Sequence, residues 1–273
     1  MAGLFDKQAK AYSDARPSYP ASWFSELASL TPNHCLAWDV GAGNGQASVA
    51  IAEHYERVIA TDVSKQQLEL AQKHPRVTYA VTPPVLTDEA LVSLVGAEGS
   101  VDLVTVAMAV HCFDLRVFYS QVKHLLRKPW GVLAVWGYRN PSVSPAVDEV
   151  YRKFMESTMG YWNPKTGYLF EGYRTLPFPF LSVLPGGSGC EGRPVVRQMD
   201  RHVSLEGYLG LLKSWSAVVT AREKGVELLS DDVLGAFKEA CGDEHAIRTC
   251  TYEVYLLAGT PSLWTPPSWS CSG

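Results

Sequence analysis

Short apolar runs alternate with segments whose apolar positions fall at helical spacing, and this rhythm dominates the first half of the chain. Residues 23–30 read as a short amphipathic helix stopped by Thr31-Pro32. Residues 35–40 form an apolar run closed by Gly41-Ala42-Gly43-Asn44-Gly45, and 46–55 follow with helical spacing. A second unit repeats the pattern, with a strand over 57–63 and a helix over 64–73 capped by Ser64. Strands at 77–81, 101–106 and 131–137 then alternate with helices at 87–95 and 113–126. Successive strand-turn-helix units with right-handed crossovers predict an α/β fold built on a doubly wound, mostly parallel sheet.

The rhythm breaks at residue 140. From 140 to about 201 the chain is rich in aromatic residues and Pro, too apolar for a solvated linker, and is read as a cap over the sheet. Helices are predicted at 204–221 and 231–240, a closing strand at 252–257, and a loose Pro, Ser and Trp tail after it. The expected organisation is one domain over 1–273, with residues 1–140 and about 248–262 as the core and about 141–247 as a substrate-side cap.

The glycine cluster sits between a predicted strand and a predicted helix, where a turn without Cβ atoms lets a ligand lie against backbone N–H groups. Its spacing is G-x-G-x-G, and Gln46 stands where a dinucleotide fingerprint wants a third glycine, which moves a nicotinamide or flavin to second place. Asp62 ends the second predicted strand, nineteen residues beyond Gly43, where a carboxylate can accept hydrogen bonds from both hydroxyls of a ribose. Turn and acid together specify an adenosine-type ligand; read separately, they serve chain reversal and helix capping.

Composition narrows the partners. The chain has 273 residues, enough for a sizeable core, and its 24 Lys and Arg against 28 Asp and Glu give a net charge of −4. That balance disfavours a nucleic-acid partner gripped through its phosphates and points to a small-molecule substrate. No run approaches the length of a membrane span, and the N-terminal segment lacks the apolar stretch of a signal peptide, so a cytoplasmic location is expected. The six Cys lie far apart without a C-x-x-C pair, which predicts reduced, mostly buried thiols and no metal site. Oligomeric state leaves no trace in the sequence.

Five stretches carry a resemblance: the Y-x-x-x-R-P-x-Y-P pattern from Tyr12 to Pro20, the turn DVGAGNGQ, the acid in ATDVS, the segment VDLVTVAMAVHCFD, and LLRKPWGVLAVWGY. Together they are similar to class I S-adenosylmethionine-dependent methyltransferases, and more narrowly to the type 11 family that includes trans-aconitate methyltransferases and plant relatives. The resemblance implies a Rossmann-like fold, S-adenosyl-L-methionine as cofactor, and Gly41, Gly43 and Gly45 passing under the donor with Asp39 near its amino-acid end. It also implies that Asp62 and the adjacent Val63 meet the ribose side, that Tyr12 and Arg16 form an N-terminal lid over the donor, and that Ala107 sits beside the sulfonium. Three departures from the family pattern, at Met108, Cys112 and Trp130, are expected to reshape the pocket.

The chemistry expected of such a chain is an in-line displacement that asks mainly for positioning. A carboxylate acceptor is already ionised at neutral pH, whereas a phenol or protonated amine needs a base. His111, just after the fourth strand, is the candidate catalytic residue, as a base or as an orienting group. Asp114 reads as the cap of the next helix. Tyr138, Tyr161, Trp162, Tyr168 and Trp215 are candidates for an aromatic wall around the acceptor, each with core packing as its other reading. The preferred function is methyl transfer to a carboxylate oxygen of a small organic molecule. The alternatives are O- or N-methylation of a phenolic or alkaloid-type metabolite with His111 as base, and a donor-binding protein without turnover.

Overall fold

A computed structural model of the chain describes residues 19–185, 193–243 and 245–261. In chain order the elements are α1 (Ala21–Ser29), β1 (Leu36–Val40), α2 (Gln46–Ala52), β2 (Arg57–Asp62), α3 (Lys65–Glu69), β3 (Val77–Val81), α4 (Asp88–Leu94), β4 (Leu103–Ala107), α5 (Leu115–Leu125) and β5 (Val132–Ser142). They continue with α6 (Pro145–Thr158), α7 (Gly167–Phe170), β6 (Leu181–Ser182), β7 (Val195–Val203), α8 (Leu205–Lys213), α9 (Ser216–Glu223), α10 (Asp231–Cys241) and β8 (Arg248–Thr260).

The strands form one sheet in the order β3-β2-β1-β4-β5-β8-β6, with β7 also paired to β8. The first five strands in that order run parallel, and β6, β7 and β8 run antiparallel to their neighbours. This is the α/β, Rossmann-like, mostly parallel sheet expected from the sequence. The centre of the sheet is covered on both faces, so its strands read as continuous apolar runs. Successive residues go to opposite layers: Ala37, Leu103, Ala134 and Trp136 join one buried cluster, and Trp38, Val104, Leu133 and Val135 join the other.

Local rules account for many boundaries. Ser64 accepts the Gln67 N–H at 3.2 Å and opens α3, Thr87 accepts the Ala90 N–H to open α4, and Asp114 accepts the N–H groups of Arg116 and Val117 to open α5. Elsewhere the structure departs from the expected pattern. The region after residue 140 contains a fourteen-residue helix, α6, with Ser144 as its cap and Pro145 at its first position. It also contains β7, which joins the central sheet through β8 rather than lying over it. The helix predicted over 204–221 divides into α8 and α9, because Trp215 between them is extended (φ −74°, ψ 139°). The closing strand is longer than predicted, since β5 and β7 both pair with it. Cys35 is exposed rather than buried, whereas Cys241 and Cys250 are buried. No helix among the described residues is long and apolar enough to cross a membrane.

Candidate active site

The strand order reverses between β1 and β4, and the cleft at the C-terminal ends of the parallel strands is the place where such sheets bind ligands. Three cavities meet there. The first, of about 390 Å³, is bordered by Gly41, Gly43, Asp62 and Val63 on one side and by Leu86, Phe113 and Gln121 on the other. The second, of about 260 Å³, lies between β5 and the helices after it and is lined by His111, Tyr138, Trp162 and Trp215. The third, of about 60 Å³, is bounded by Tyr19, Asp39 and the glycine turn. Ala107 borders the first and third, and Met108 borders all three.

The glycine turn hangs from β2, because the N–H groups of Gly41 and Ala42 both donate to the Thr61 carbonyl, at 2.8 and 3.0 Å. Gly45 occupies the N-cap of α2 at φ 79°, and a Cβ there would fall onto the Tyr79 ring. Asp62 ties the two loops together: it accepts the Gly43 N–H at 2.8 Å through one oxygen and the Ser64 N–H at 2.8 Å through the other. These bonds hold the Asp62 carboxylate at the end of β2, between the two loops.

Asp39 is buried beneath the turn and accepts hydrogen bonds from Ser48 Oγ at 2.5 Å and Thr105 Oγ1 at 2.8 Å. Burial pushes its carboxyl up to about 6, against the lowering effect of those two hydroxyls, and the nearby Asp62 charge adds to the rise. Between about pH 4 and 6 the native carboxyl keeps a proton that the unfolded chain has released, so this group makes stability fall as pH rises through that window and level off above it. At pH 7 the cost is on the order of 3 kcal/mol. Asp39→Asn, followed by urea unfolding between pH 4 and 7, is expected to abolish this component of the slope; an unchanged slope would assign the pH dependence elsewhere.

Met108 holds the junction of the cavities in a left-handed backbone conformation, φ 58°, which costs on the order of 1–2 kcal/mol for a residue with a side chain. Two bonds to β5 retain it there: its N–H donates to the Trp136 carbonyl at 2.9 Å, and its sulfur accepts the Tyr138 N–H at 3.2 Å. His111 stands on the 3-10 turn Val110–Cys112, and its Nδ1 is buried without a hydrogen-bond partner among the described residues. Burial lowers its pKa to about 4, so the ring is neutral at physiological pH.

The wall of the second cavity is aromatic. Trp162 packs against Trp215 with ring centroids 5.5 Å apart and against Phe170 at 5.2 Å, and Tyr151 meets Trp215 edge-on at 6.0 Å. Thr158 Oγ1 accepts the Trp162 indole N–H at 2.8 Å and sets the ring's orientation. Two expected wall residues lie elsewhere. Tyr161 faces the Lys224 ammonium, 5.5 Å from its ring centroid, and Tyr168 packs against the hydrophobic cluster on the other face of the sheet. Tyr161 ends the 3-10 turn Met159–Tyr161 and Trp162 follows it in extended backbone, and the two rings part there.

Tyr12 and Arg16 lie outside the described residues. Of the three departures in the sequence pattern, Met108 and Cys112 border the first cavity, whereas Trp130 is 61% exposed in the turn before β5, at the opposite end of the sheet. Sequence reasoning missed Arg139, Asn140, Tyr151 and Met155 of the second cavity. Tyr151 and Met155 were detectable as an i, i+4 pair, once the α6 cap at Ser144-Pro145 is recognised. Among the described residues no cluster of His, Cys, Asp or Glu is arranged to hold a metal ion.

Comparison with known proteins places this geometry. Residues 37–129 match the model of a methyltransferase domain family. Over 266 residues the chain is 31% identical to a methyltransferase of Dictyostelium discoideum, an alignment that covers 93% of both proteins. A methyltransferase of Aspergillus candidus is 33% identical over 137 residues, covering 48% of this chain and 42% of that protein. The solved structure of a type II methyltransferase from Anaeromyxobacter dehalogenans superposes with a TM-score of 0.75 at 33% identity, over 90% of this chain and 99% of the other. With its β3-β2-β1-β4-β5 parallel sheet and a glycine turn at the strand ends, the chain belongs to the S-adenosylmethionine-dependent methyltransferases.

Proposed function

We propose that this methyltransferase acts on a carboxylate oxygen of a small organic molecule seated in the second cavity, with the donor spanning the first and third. The observation that carries this reading is the poverty of bases around the acceptor. Among the described residues lining the second cavity there is no Asp, Glu or Lys, and His111 has a pKa lowered to about 4. Moving a proton from a phenol of pKa about 10 to such an imidazole is uphill by on the order of 8 kcal/mol, whereas a carboxylate has no proton to lose. The narrower resemblance to trans-aconitate methyltransferases agrees with that choice.

The residues fit the donor. A Cβ built at Gly43 would meet only the Gln67 side-chain oxygen, at 4.0 Å, so the surface of the turn is open for a ligand to approach the backbone. In this reading Asp62 accepts from the ribose hydroxyls with Val63 beside it, and the apolar slot at Leu86 and Phe113 takes the base. Gly41, Gly43 and Gly45 pass under the amino-acid chain near Asp39, and Ala107 sits beside the sulfonium, with Tyr12 and Arg16 as a lid. The donor supplies an electrophilic methyl group on a cationic sulfur. What the chain contributes is alignment: Met108 and Tyr138 separate donor from acceptor, Trp162 and Trp215 hold the acceptor's body and keep water out, and neutral His111 orients the acceptor by a hydrogen bond.

The test is product formation from labelled donor and a panel of carboxylic acids, with the pH profile as an independent readout. A neutral His111 and an ionised acceptor predict a kcat that is flat between pH 6 and 8, and His111→Ala is expected to keep at least about a tenth of the turnover. A rate that climbs steeply through that range, together with a loss of about a hundred-fold or more in His111→Ala, would transfer the assignment to a phenol or amine with His111 as base.

A further inference from the structure

We propose that Arg139 is the acceptor-binding residue of the second cavity, taking the carboxylate of an amphipathic acid whose apolar body lies against Trp162 and Trp215. The proposal rests on the carboxylate reading above and names the group that recognises the acid. Arg139 is in the last part of β5 and lines the cavity. A regular strand would send neighbouring side chains to opposite faces of the sheet. Here the pairing with β8 slips between Arg139 and Ser142, and Asn140 takes a left-handed φ of 53°. Tyr138, Arg139 and Asn140 all border the cavity, with Arg139 the last residue in regular pairing before the slip.

Among the described residues Arg139 makes no hydrogen bond and no ion pair. Glu253 stands opposite it in the β5–β8 register and feels its charge, which helps to lower the Glu253 carboxyl, but the two form no ion pair; Glu253 Oε2 accepts the Tyr255 hydroxyl at 2.6 Å and the Asn140 amide at 2.8 Å. A carboxylate fits the planar donor fork of a guanidinium through two parallel bonds. A second polar atom in the same cavity also lacks a partner, the buried Nδ1 of His111. Much of the lining is apolar or aromatic, with Trp162, Trp215, Tyr151, Phe170 and Met155 among it, which suits an aromatic or hydrocarbon body.

This arrangement accounts for product release. The carboxylate oxygen forms a bond to the methyl carbon, the carbon–sulfur bond breaks, and its electron pair stays on sulfur. An anion and a sulfonium become a neutral ester and a neutral thioether. The ester no longer pairs with Arg139, so the product binds more weakly than the acid.

Calorimetry on the protein loaded with S-adenosylhomocysteine tests the proposal, using benzoate, phenylacetate, 4-phenylbutyrate and octanoate, each beside its primary amide. At least one acid is expected to bind about ten-fold or more tightly than its amide. Arg139→Gln should abolish that difference with donor affinity unchanged, and Arg139→Lys should keep part of it. Equal binding of acids and amides by the native protein, absence of binding by all four acids, or a preference that survives Arg139→Gln would overturn the assignment. Acid binding without ester formation would sink the carboxyl-methylation reading and leave the Arg139 site standing. Ester formation by Arg139→Gln at the native KM would do the reverse.

Discussion

Gly43→Asn is expected to lower donor affinity by about a hundred-fold or more while leaving the fold nearly as stable as before. Gly43 sits at φ 57°, a conformation that Asn tolerates better than other residues with a side chain, so the backbone cost stays near 1 kcal/mol. Packing adds little, because only Gln67 Oε1 lies within 4 Å of a Cβ placed there. The new side chain must instead project into the space that the first and third cavities share, where the donor is proposed to touch the turn. The Gly43 N–H bond to Asp62 comes from the backbone and survives the substitution. Titration calorimetry with S-adenosylmethionine and a melting curve on the same sample give both numbers. Native-like affinity in a folded variant would remove the glycine turn from the donor site.

Asp102→Ala is expected to do the opposite, costing stability and sparing the site. Asp102 is buried just before β4, and one oxygen accepts the N–H groups of Cys35 and Leu36 at 2.9 and 3.0 Å. The other oxygen accepts Arg127 Nε at 2.6 Å. Truncation strands two backbone donors, while Arg127 keeps its bond to the Ser100 carbonyl and its contact with solvent, a loss of about 2–4 kcal/mol, or on the order of 10 °C in melting temperature for a chain of this size. The position is at the N-terminal end of a strand whose other end, Ala107, borders the cavities, a separation of roughly 15 Å along five residues. Donor affinity measured below the melting transition should therefore be unchanged. A small stability loss would mean that water or a neighbouring group satisfies the stranded donors.

The two variants separate a ligand surface from a structural pin, and only one of the two was visible in the sequence. The glycine turn is legible because its signal is local: an apolar run, a cluster of glycines and a helical period follow one another within a dozen residues. Asp102 carries no such signal. Its partners Leu36 and Arg127 are 66 residues before it and 25 after it, and nothing in the identity of an Asp ahead of a strand announces that they will converge on it.

The same division runs through the acceptor side. Aromatic residues after position 140 are conspicuous in the sequence, but their sorting depends on where each backbone segment turns. Trp162 reaches the cavity and Tyr161 meets Lys224; Trp215 enters because the chain is extended between α8 and α9; Tyr168 goes to the opposite face of the sheet. Arg139 lies where β5 pairs with β8, more than a hundred residues downstream, at the last regular position before the register slips. By itself the sequence determined the parallel α/β core, the glycine turn, the strand-end Asp62 and the caps at Ser64 and Asp114, since each follows from hydrogen bonding and periodicity within a few residues. Which aromatic rings form the wall, the burial of His111 and the presence of Arg139 in its cavity were settled by the tertiary structure alone, because burial and desolvation arise from contacts between segments far apart in the chain.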